Sequence, residues 1–535
     1  MDTLTDRKKI VVMIAIMATL LFVGLNQTTV STAMPRIIAV LGGMHYFNWV
    51  FTIFMLASSV TPVLVGKLSD IYGRKPFLLA GLAIFIAGSF FAGLSGNIFQ
   101  LIVSRGIQGL GGGMILSTSF AAVGDLFSPR ERARWQGLMS GIFGLASVFG
   151  PTLGGYLVDK ADWRWVFWVF LPVGVIAFLL IIWLFPAAER RETEAIDYLG
   201  SLLLTIFAIS LLLAFTWGGT RYTWDSREIL GLLTVSLLAL GVFFLVESRV
   251  KSPVIPLGLF KNKTFTISNF IGCLIGTGMF STIMYMPLFI QGVMGASATL
   301  SGIMVMPKSL SMMIASAVSG QVVTQTGKYK KLALLGLAVT AAGMFLMVLM
   351  NQNTTIMVGT LTMVVVGIGL GISIPIFTLT TQNAVDYKQL GVATATFQMF
   401  RQLGGTIGVS FLGIVMNYRL TAQFNRFFNQ SGLDSFLGQD PEAANMLSVM
   451  QNPQVLMNPE ELAQIQPALS SHLEDIFLIM TEMLRSSLSH SLAGVFAVGG
   501  VIMLVALSIG FFLEEIQLKD KWVNKSSDPS LSKEM

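Results

Sequence analysis

Gly66-Lys67-Leu68-Ser69-Asp70-Ile71-Tyr72-Gly73-Arg74-Lys75-Pro76 stands between two apolar runs, 48–65 and 77–94. Each run is close to the roughly 20 residues that a membrane-crossing helix needs. The charges of Asp70, Arg74 and Lys75 are therefore confined to a tight turn between two spans. Gly66 and Gly73 let backbones approach closely or turn with positive φ, and Pro76 suits the first turn of the helix that follows. The preference of Lys and Arg for cytoplasmic loops would explain the two bases but not the acid set between glycines. One acid followed by two bases in such a turn is suited to holding neighbouring helices in one of two arrangements, which is the work of a switch and not of a catalytic centre.

The rest of the chain fits a protein built for lipid. It has 535 residues, of which 54% are hydrophobic and 12% charged, with a mean hydropathy of +0.73. That excludes a soluble domain of ordinary composition and predicts an all-α integral membrane protein. The formal charge of +6 is spread over short loops instead of lying on one stripe, so nucleic acid is not an expected partner. Cys273 is the only cysteine, and His45, His472 and His490 lie outside or at the edge of the spans, so no metal site is expected. No nucleophile and base come together near mid-membrane, so no enzymatic activity is expected.

The first span follows Arg7, Lys8 and Lys9 and could pass for a signal peptide, but no small-x-small cleavage site follows and the helix pattern continues to Met34. Further spans are predicted near 48–66, 77–95, 98–123, 136–158 and 165–185, completing a six-helix bundle over 1–188. Residues 189–263 hold two inserted spans, near 198–217 and 229–247, between charged links. The second bundle continues over 264–417 with spans near 265–290, 299–322, 332–350, 355–381 and 391–417. Residues 418–489 form an external segment, either a small helical cap or a surface loop, and include an amphipathic piece whose Ile476, Ile479, Met483 and Leu484 would share one face. The region 490–535 supplies the last span and a tail. The sum is 14 transmembrane helices with both termini in the cytoplasm of a multi-pass cell-membrane protein, an orientation that places most of the 34 Lys and Arg inside.

The halves repeat. Gly66 and Gly73 are echoed 254 positions later by Gly320 and Gly327, and Gly150 and Gly154 by Gly404 and Gly408. Thr324 stands where the counterpart of Asp70 would be.

The 66–75 run resembles the signature loop of the major facilitator superfamily, matched at Gly66, Leu68, Asp70, Gly73, Arg74 and Lys75. The resemblance implies a fold of two six-helix bundles, here with two inserted helices, and a site between them near mid-membrane. It also implies that Asp70 contacts a nearby Arg, here Arg74, and the start of a helix in the other half. Residues 390–392 are the expected partner, since free N–H groups at a helix start favour an anion.

Two further matches point to export. Leu101–Gly113 carries Arg105 and Gln108 as the superfamily's fourth helix does, where the arginine is associated with proton transfer or the substrate cavity. An arginine about 10 Å along a membrane helix is either kept for a water-lined interior or snorkels to the outer interface. Residues 141–155, with Gly144, Gly150, Pro151, Gly154 and Gly155, resemble the hinge signature of the superfamily's exporters. Proline and glycines there let a helix bend and a neighbour slide. Trp163–Trp168 with Pro172 and Gly174, Asp197–Gly200, and Pro287–Gln291 with Ser301, Gly302 and Pro307 are similar to the fourteen-helix drug/proton antiporter branch. The likeness covers nearly the whole chain apart from the external segment.

In one place the chain departs from that branch. Asn26 occupies the place of an aspartate often assigned to proton coupling, and Asp125, at the end of a span, is the deepest acid. Arg105, Lys308 and Arg401 are the ionisable groups within spans. Such cations either face a cavity and attract an anionic headgroup or bind helix carbonyls and brace the fold. The expected cavity residues are Asn26, Gln27, Arg105, Gln108, Gln291, Lys308, Gln398 and Arg401. The expected function is alternating-access efflux of amphipathic compounds by proton antiport. Export of lipids or lipid-linked anionic amphiphiles, and a non-transporting membrane sensor, are the alternatives. Membrane lipids and the amphipathic substrate are the expected partners of a monomer; no cofactor is expected, and a proton gradient supplies the energy.

Overall fold

The structure is a computed structural model that describes residues 6–41, 47–186, 197–219, 222–250, 253–296, 298–386, 389–431 and 471–515. Its helices are α1 (Asp6–Leu41), α2 (Phe47–Tyr72), α3 (Arg74–Gly93), α4 (Ile98–Leu126), α5 (Pro129–Lys160), α6 (Trp165–Trp168), α7 (Leu171–Leu184), α8 (Tyr198–Trp217), α9 (Arg227–Glu247), α10 (Lys263–Leu288), α11 (Ala298–Thr326), α12 (Lys330–Val348), α13 (Ile356–Asn383), α14 (Leu390–Ser431) and α15 (Ser471–Gly510). Polar residues placed just before the apolar runs start several of them. Asn97, Asp197, Ser226, Asn262 and Thr355 each accept a hydrogen bond from a backbone N–H in the first turn, and Ser128 with Glu131 forms a capping box before α5.

Among the described residues, 10 helical segments are long and apolar enough to cross a membrane. The expected count of fourteen is not reached by this measure, for a compositional reason. The apolar stretches of α2 and α8 are short, Trp49–Pro62 and Leu199–Phe215, while α4 and α5 are diluted by glycine and by residues such as Arg105, Gln108 and Gln136.

Both halves use the same helix pairs. In the first, α1 packs on α5, and α2 and α3 on α4; in the second, α10 packs on α14, and α11 and α12 on α13. Each half has its own apolar core, one around Phe22, Phe85 and Phe170, the other around Phe289, Met344 and Phe377. The halves meet along two seams, α5 on α11 and α2 on α14. Gly73 and Gly327, at equivalent places in the repeat, have φ of 90° and 66°, so each turn needs the same left-handed residue. The inserted pair stands outside the repeat: α8 packs on α2 and α14, and α9 packs on α8. The end of the molecule that carries Asp70 is called the Asp70 face below, and the opposite end the far face.

Several boundaries differ from the sequence reading. The span near 165–185 is two helices, α6 and α7, broken before Pro172. The helix of the span predicted to end at 417 continues as α14 to Ser431, and the helix that holds the last span begins at Ser471, ahead of 490. At about 1.5 Å per residue, α14 with its 42 residues and α15 with its 40 exceed a hydrocarbon core of about 30 Å. Both ends of the expected external segment are thus helical. The amphipathic piece is a helix, but its buried residues are Phe477, Met480, Leu484 and Leu488, while Ile479 is exposed. Leu484 and Leu488 share the second core with Leu420 and Phe424 of α14. The polar turns expected near 439–441, 452–453 and 458–459, and the charged link 189–194, lie outside the described residues.

Candidate functional site

Helices α1, α2, α4 and α5 of the first half and α10, α11, α13 and α14 of the second enclose a cavity of about 1640 Å³. From outside the repeat, α8 adds Leu212, Phe215 and Trp217, and the turn after it adds Gly218, Gly219 and Trp224. Aromatic rings dominate the far-face rim, where Trp49 and Trp217 meet edge to face with centroids 5.6 Å apart. Ser410 Oγ donates to the Phe215 carbonyl at 2.6 Å and ties α8 to α14.

Three of the expected cavity residues line this space: Gln27, Lys308 and Arg401. Lys308 is 5% exposed, and Arg401 Nε is buried without a hydrogen bond; among the described residues neither cation has a hydrogen-bond or ion-pair partner. Among the described residues the wall contains no Asp, Glu or His. Gln402, next to Arg401, also lines it, although the sequence reading did not single it out.

Asn26, Arg105 and Gln108 stand behind the wall rather than in it. Arg105 Nη1 donates to Gln108 Oε1 at 2.7 Å, and Gln108 Nε2 donates to Asn26 Oδ1 at 3.1 Å and Ser89 Oγ at 2.7 Å. These contacts turn the polar side of α4 toward α1 and α3, inside the first bundle. Phe54 closes it off from the cavity, with the Arg105 guanidinium 4.5 Å from its ring centroid. Arg105 Nη2 and Asn26 Nδ2 are buried without hydrogen-bond partners among the described residues. Gln291 lies in a π-helical turn, Phe289–Val293, and Gln398 is buried; neither lines the cavity.

Toward the Asp70 face the cavity is closed by three sets of contacts. Asp70 accepts from the backbone N–H groups of Gly391 at 3.1 Å and Val392 at 3.2 Å. Those groups lack intrahelical partners because they begin α14, and the helix dipole favours an anion there. Arg74 holds the carboxylate from the other side: Nη2 pairs with Asp70, Nε donates to Asp125 at 2.8 Å and Nη1 to Ser69 Oγ at 2.6 Å. Burial pushes the Asp70 carboxyl above the usual carboxylate range, against the pull of Arg74, and Asp125 adds to the push. Lys75 donates to the Ile182 carbonyl at 2.7 Å, joining α3 to α7. At Gly66 a Cβ would meet Ala395 and the Gly391 carbonyl, so this crossing of α2 and α14 requires glycine.

The second set is an amide pair. Gln136 Nε2 of α5 donates to Gln382 Oε1 of α13 at 2.7 Å, while Gln382 Nε2 donates to Thr394 Oγ1 at 2.8 Å and the Phe120 carbonyl at 3.2 Å. The third is the α5–α11 seam, where Gly137, Gly141 and Gly144 lie against Ser316, Met313 and Ser309. Higher on the same helix, Gly150 and Gly154 lie against Thr28 and Thr29 of α1. Of the other expected hinge residues, Pro151 and Gly155 lie within α5. This helix therefore presents one smooth strip to its own bundle and another to the opposite one.

The sequence reading missed the Gln136–Gln382 pair and the buried Arg132, which donates to the Phe127 and Gly124 carbonyls at the end of α4. A polar amide within an otherwise apolar span is the one signal the two glutamines carry.

The family model described as Major Facilitator Superfamily matches residues 16–409. Multidrug transporter protein MdtP of Bacillus subtilis (strain 168) is 38% identical over 524 residues, 96% of this chain and 94% of that protein. Multidrug resistance protein 3 of the same strain is 31% identical over 487 residues, 90% of this chain and 94% of its own length. Among solved structures, the human organic anion transporter MFSD10 (TETRAN) superposes with a TM-score of 0.61 at 14% identity, covering 94% of this chain and 99% of that one. The proton:xylose symporter XylE does so at 0.60 and 12% identity, covering 96% and 98%.

Proposed function

Because this chain belongs to the Major Facilitator Superfamily, we propose that it is an alternating-access exporter of amphipathic compounds, driven by proton antiport. It is a multi-pass membrane protein and a transporter by family. The observation that carries the finer reading is the cavity between the halves, rimmed by aromatic rings at the far face and closed at the Asp70 face by Asp70, Gln136 and the glycine strip of α5. With Lys and Arg gathered on the Asp70 side, that side is cytoplasmic, both termini are inside and the cavity faces outward, as in an exporter that has released its load. The multidrug relatives and the mostly apolar wall support a tolerant substrate range and a part in antibiotic resistance. All fourteen rods, counting α6 and α7 as one, then cross the cell membrane of a monomer.

The experiment is transport by purified protein in proteoliposomes. An imposed pH gradient, acidic on the far-face side, should drive ethidium or an anionic amphiphile toward that side while protons move the other way. Equal transport with and without the gradient would remove proton coupling from the reading, and no movement of any amphiphile would remove efflux itself.

A further inference from the structure

Resting on the efflux reading, we propose that the cavity holds an anion-binding centre formed by Lys308 and Arg401, so that its favoured cargo is an amphiphile with a negative headgroup. The argument begins with partners. Both side chains line the cavity, Lys308 is more than nine-tenths buried, and among the described residues neither has an acid or a carbonyl to neutralise it. Cations at membrane depth face water, a counter-charge or a ligand. Here no carboxylate lines the space among the described residues.

Depth gives the second part. Gly137 and Gly391 are equivalent in the 254-residue repeat, and each marks a crossing at the Asp70-side gate, Gly137 against Ser316 and Gly391 against Gly66. Arg401 follows Gly391 by ten residues of helix, about 15 Å, and Lys308 precedes Ser316 by eight, about 12 Å. The two charges thus stand at nearly the same height above the closed gate, on α14 and α11 of one bundle. Gln402 and Ser309, which also line the cavity, are hydrogen-bonding neighbours for the same headgroup. The aromatic rings of Phe51, Phe54, Phe215 and Trp217 then offer the apolar surface for the rest of the molecule.

The test measures equilibrium binding of radiolabelled taurocholate, an anion, and tetraphenylphosphonium, a cation, to the full-length protein in phosphatidylcholine nanodiscs. Wild type should bind taurocholate with an affinity that falls as salt rises. Lys308→Gln and Arg401→Gln should each weaken taurocholate about tenfold, equivalent to about 1.4 kcal/mol, and should tighten tetraphenylphosphonium, because each removes a positive charge that repels it. Lys308→Arg, which keeps the charge, should retain taurocholate binding. If adding phosphatidylglycerol to the nanodisc displaces taurocholate in wild type but not in the double Gln variant, the same centre takes a lipid headgroup. If it does not, soluble amphiphiles are its ligands; either result keeps the anion centre. Unchanged taurocholate affinity in the double variant, loss of both ligands together, or failure of Lys308→Arg to retain binding would overturn it. Taurocholate bound by wild type but not moved in proteoliposomes would leave the centre standing and refute the efflux reading instead.

Discussion

The backbone N–H of Val392 donates to Asp70 Oδ2 at 3.2 Å although 322 positions separate the two residues. One carboxylate thereby closes the α2–α14 seam using groups that the start of α14 leaves free. Its equivalent in the α5–α11 seam is Thr324, whose hydroxyl donates to the Gly320 carbonyl within its own helix. The gate is therefore bolted by charge along one seam and by close packing along the other.

Asp70→Ala should unbolt the first seam. A charge near a helix start contributes about 0.3–1 kcal/mol when exposed and up to ~2 kcal/mol when partly buried, so a balanced equilibrium shifts several-fold. In a Cys273→Ser background, Ser59→Cys at the cavity floor should react faster with a thiol reagent supplied from the Asp70 side. An unchanged rate would show that the ion pair does not hold the gate.

For the amide pair, the informative comparison is between single and double variants. Gln136→Leu leaves a carbonyl oxygen of Gln382 buried without its donor, at a cost of about 1–3 kcal/mol to the closed gate, whereas replacing both partners with apolar side chains is far less costly. Gln136→Leu alone should reduce transport more than Gln136→Leu combined with Gln382→Leu. Additive losses would mean that the pair contributes only as two separate side chains.

Gly137→Ala and Gly404→Ala look alike in sequence and should behave differently. Each added Cβ overlaps a backbone oxygen, that of Ser316 across the gate and that of Cys273 within the second bundle. Overpacking of this kind costs about 1–3 kcal/mol. At Gly404 the cost falls on the fold and should appear as a lower Tm. At Gly137 it falls on the closed gate alone, so Tm should hold while Ser59→Cys becomes accessible from the Asp70 side. The same Tm loss in both variants would argue against an α5–α11 seam that opens.

Asn26→Asp should leave the ratio of anion to cation export within twofold. Sequence reasoning expects a shift toward cations, but Asn26 accepts from Gln108, which in turn accepts from Arg105, and this network lies behind Phe54. The new carboxylate would accept from Gln108 inside the first bundle, away from the wall. A marked gain in cation export would place residue 26 in the wall after all.

Orientation is tested with two exposed turns. Asn353→Cys, beside the start of α13, should react with an impermeant reagent in intact cells, and Lys328→Cys should not. The reverse pattern would invert the topology and turn the outward cavity into an inward one.

How much of this was legible in advance follows from the kind of signal each residue carries. Asp70 was readable because an acid between glycines is a local pattern; its partner at 390–392 came from the resemblance to the superfamily, which implies a contact with a helix start in the other half. The repeat was readable because glycine marks close approach, as Gly66, Gly150 and Gly404 do, and turns with positive φ, as Gly73 does. Position along a span was readable too, which put Lys308 and Arg401 in the cavity wall. Helical face was not: Arg105 and Asn26 turn inward, a choice made by Ser89 and Val50 on other helices. Gln136 and Gln382, 246 positions apart, have no local pattern to relate them. The length of α14 and α15 was hidden because polar sequence beyond a membrane reads as loop until a partner helix is known.

One continuous helix, α14, carries the gate contacts at Gly391 and Val392, the cation Arg401 about 15 Å further on, and a tip near Ser431 about 60 Å from the gate. Mechanically it is a lever whose short arm is the bolt and whose long arm projects from the far face. A rigid-body rotation of about 15°, the scale of subunit rotations in known switches, would sweep the tip through roughly 15 Å. Opening and closing at one surface should thus be legible as displacement at the other, and a clamp on the tip should arrest turnover without touching the cavity.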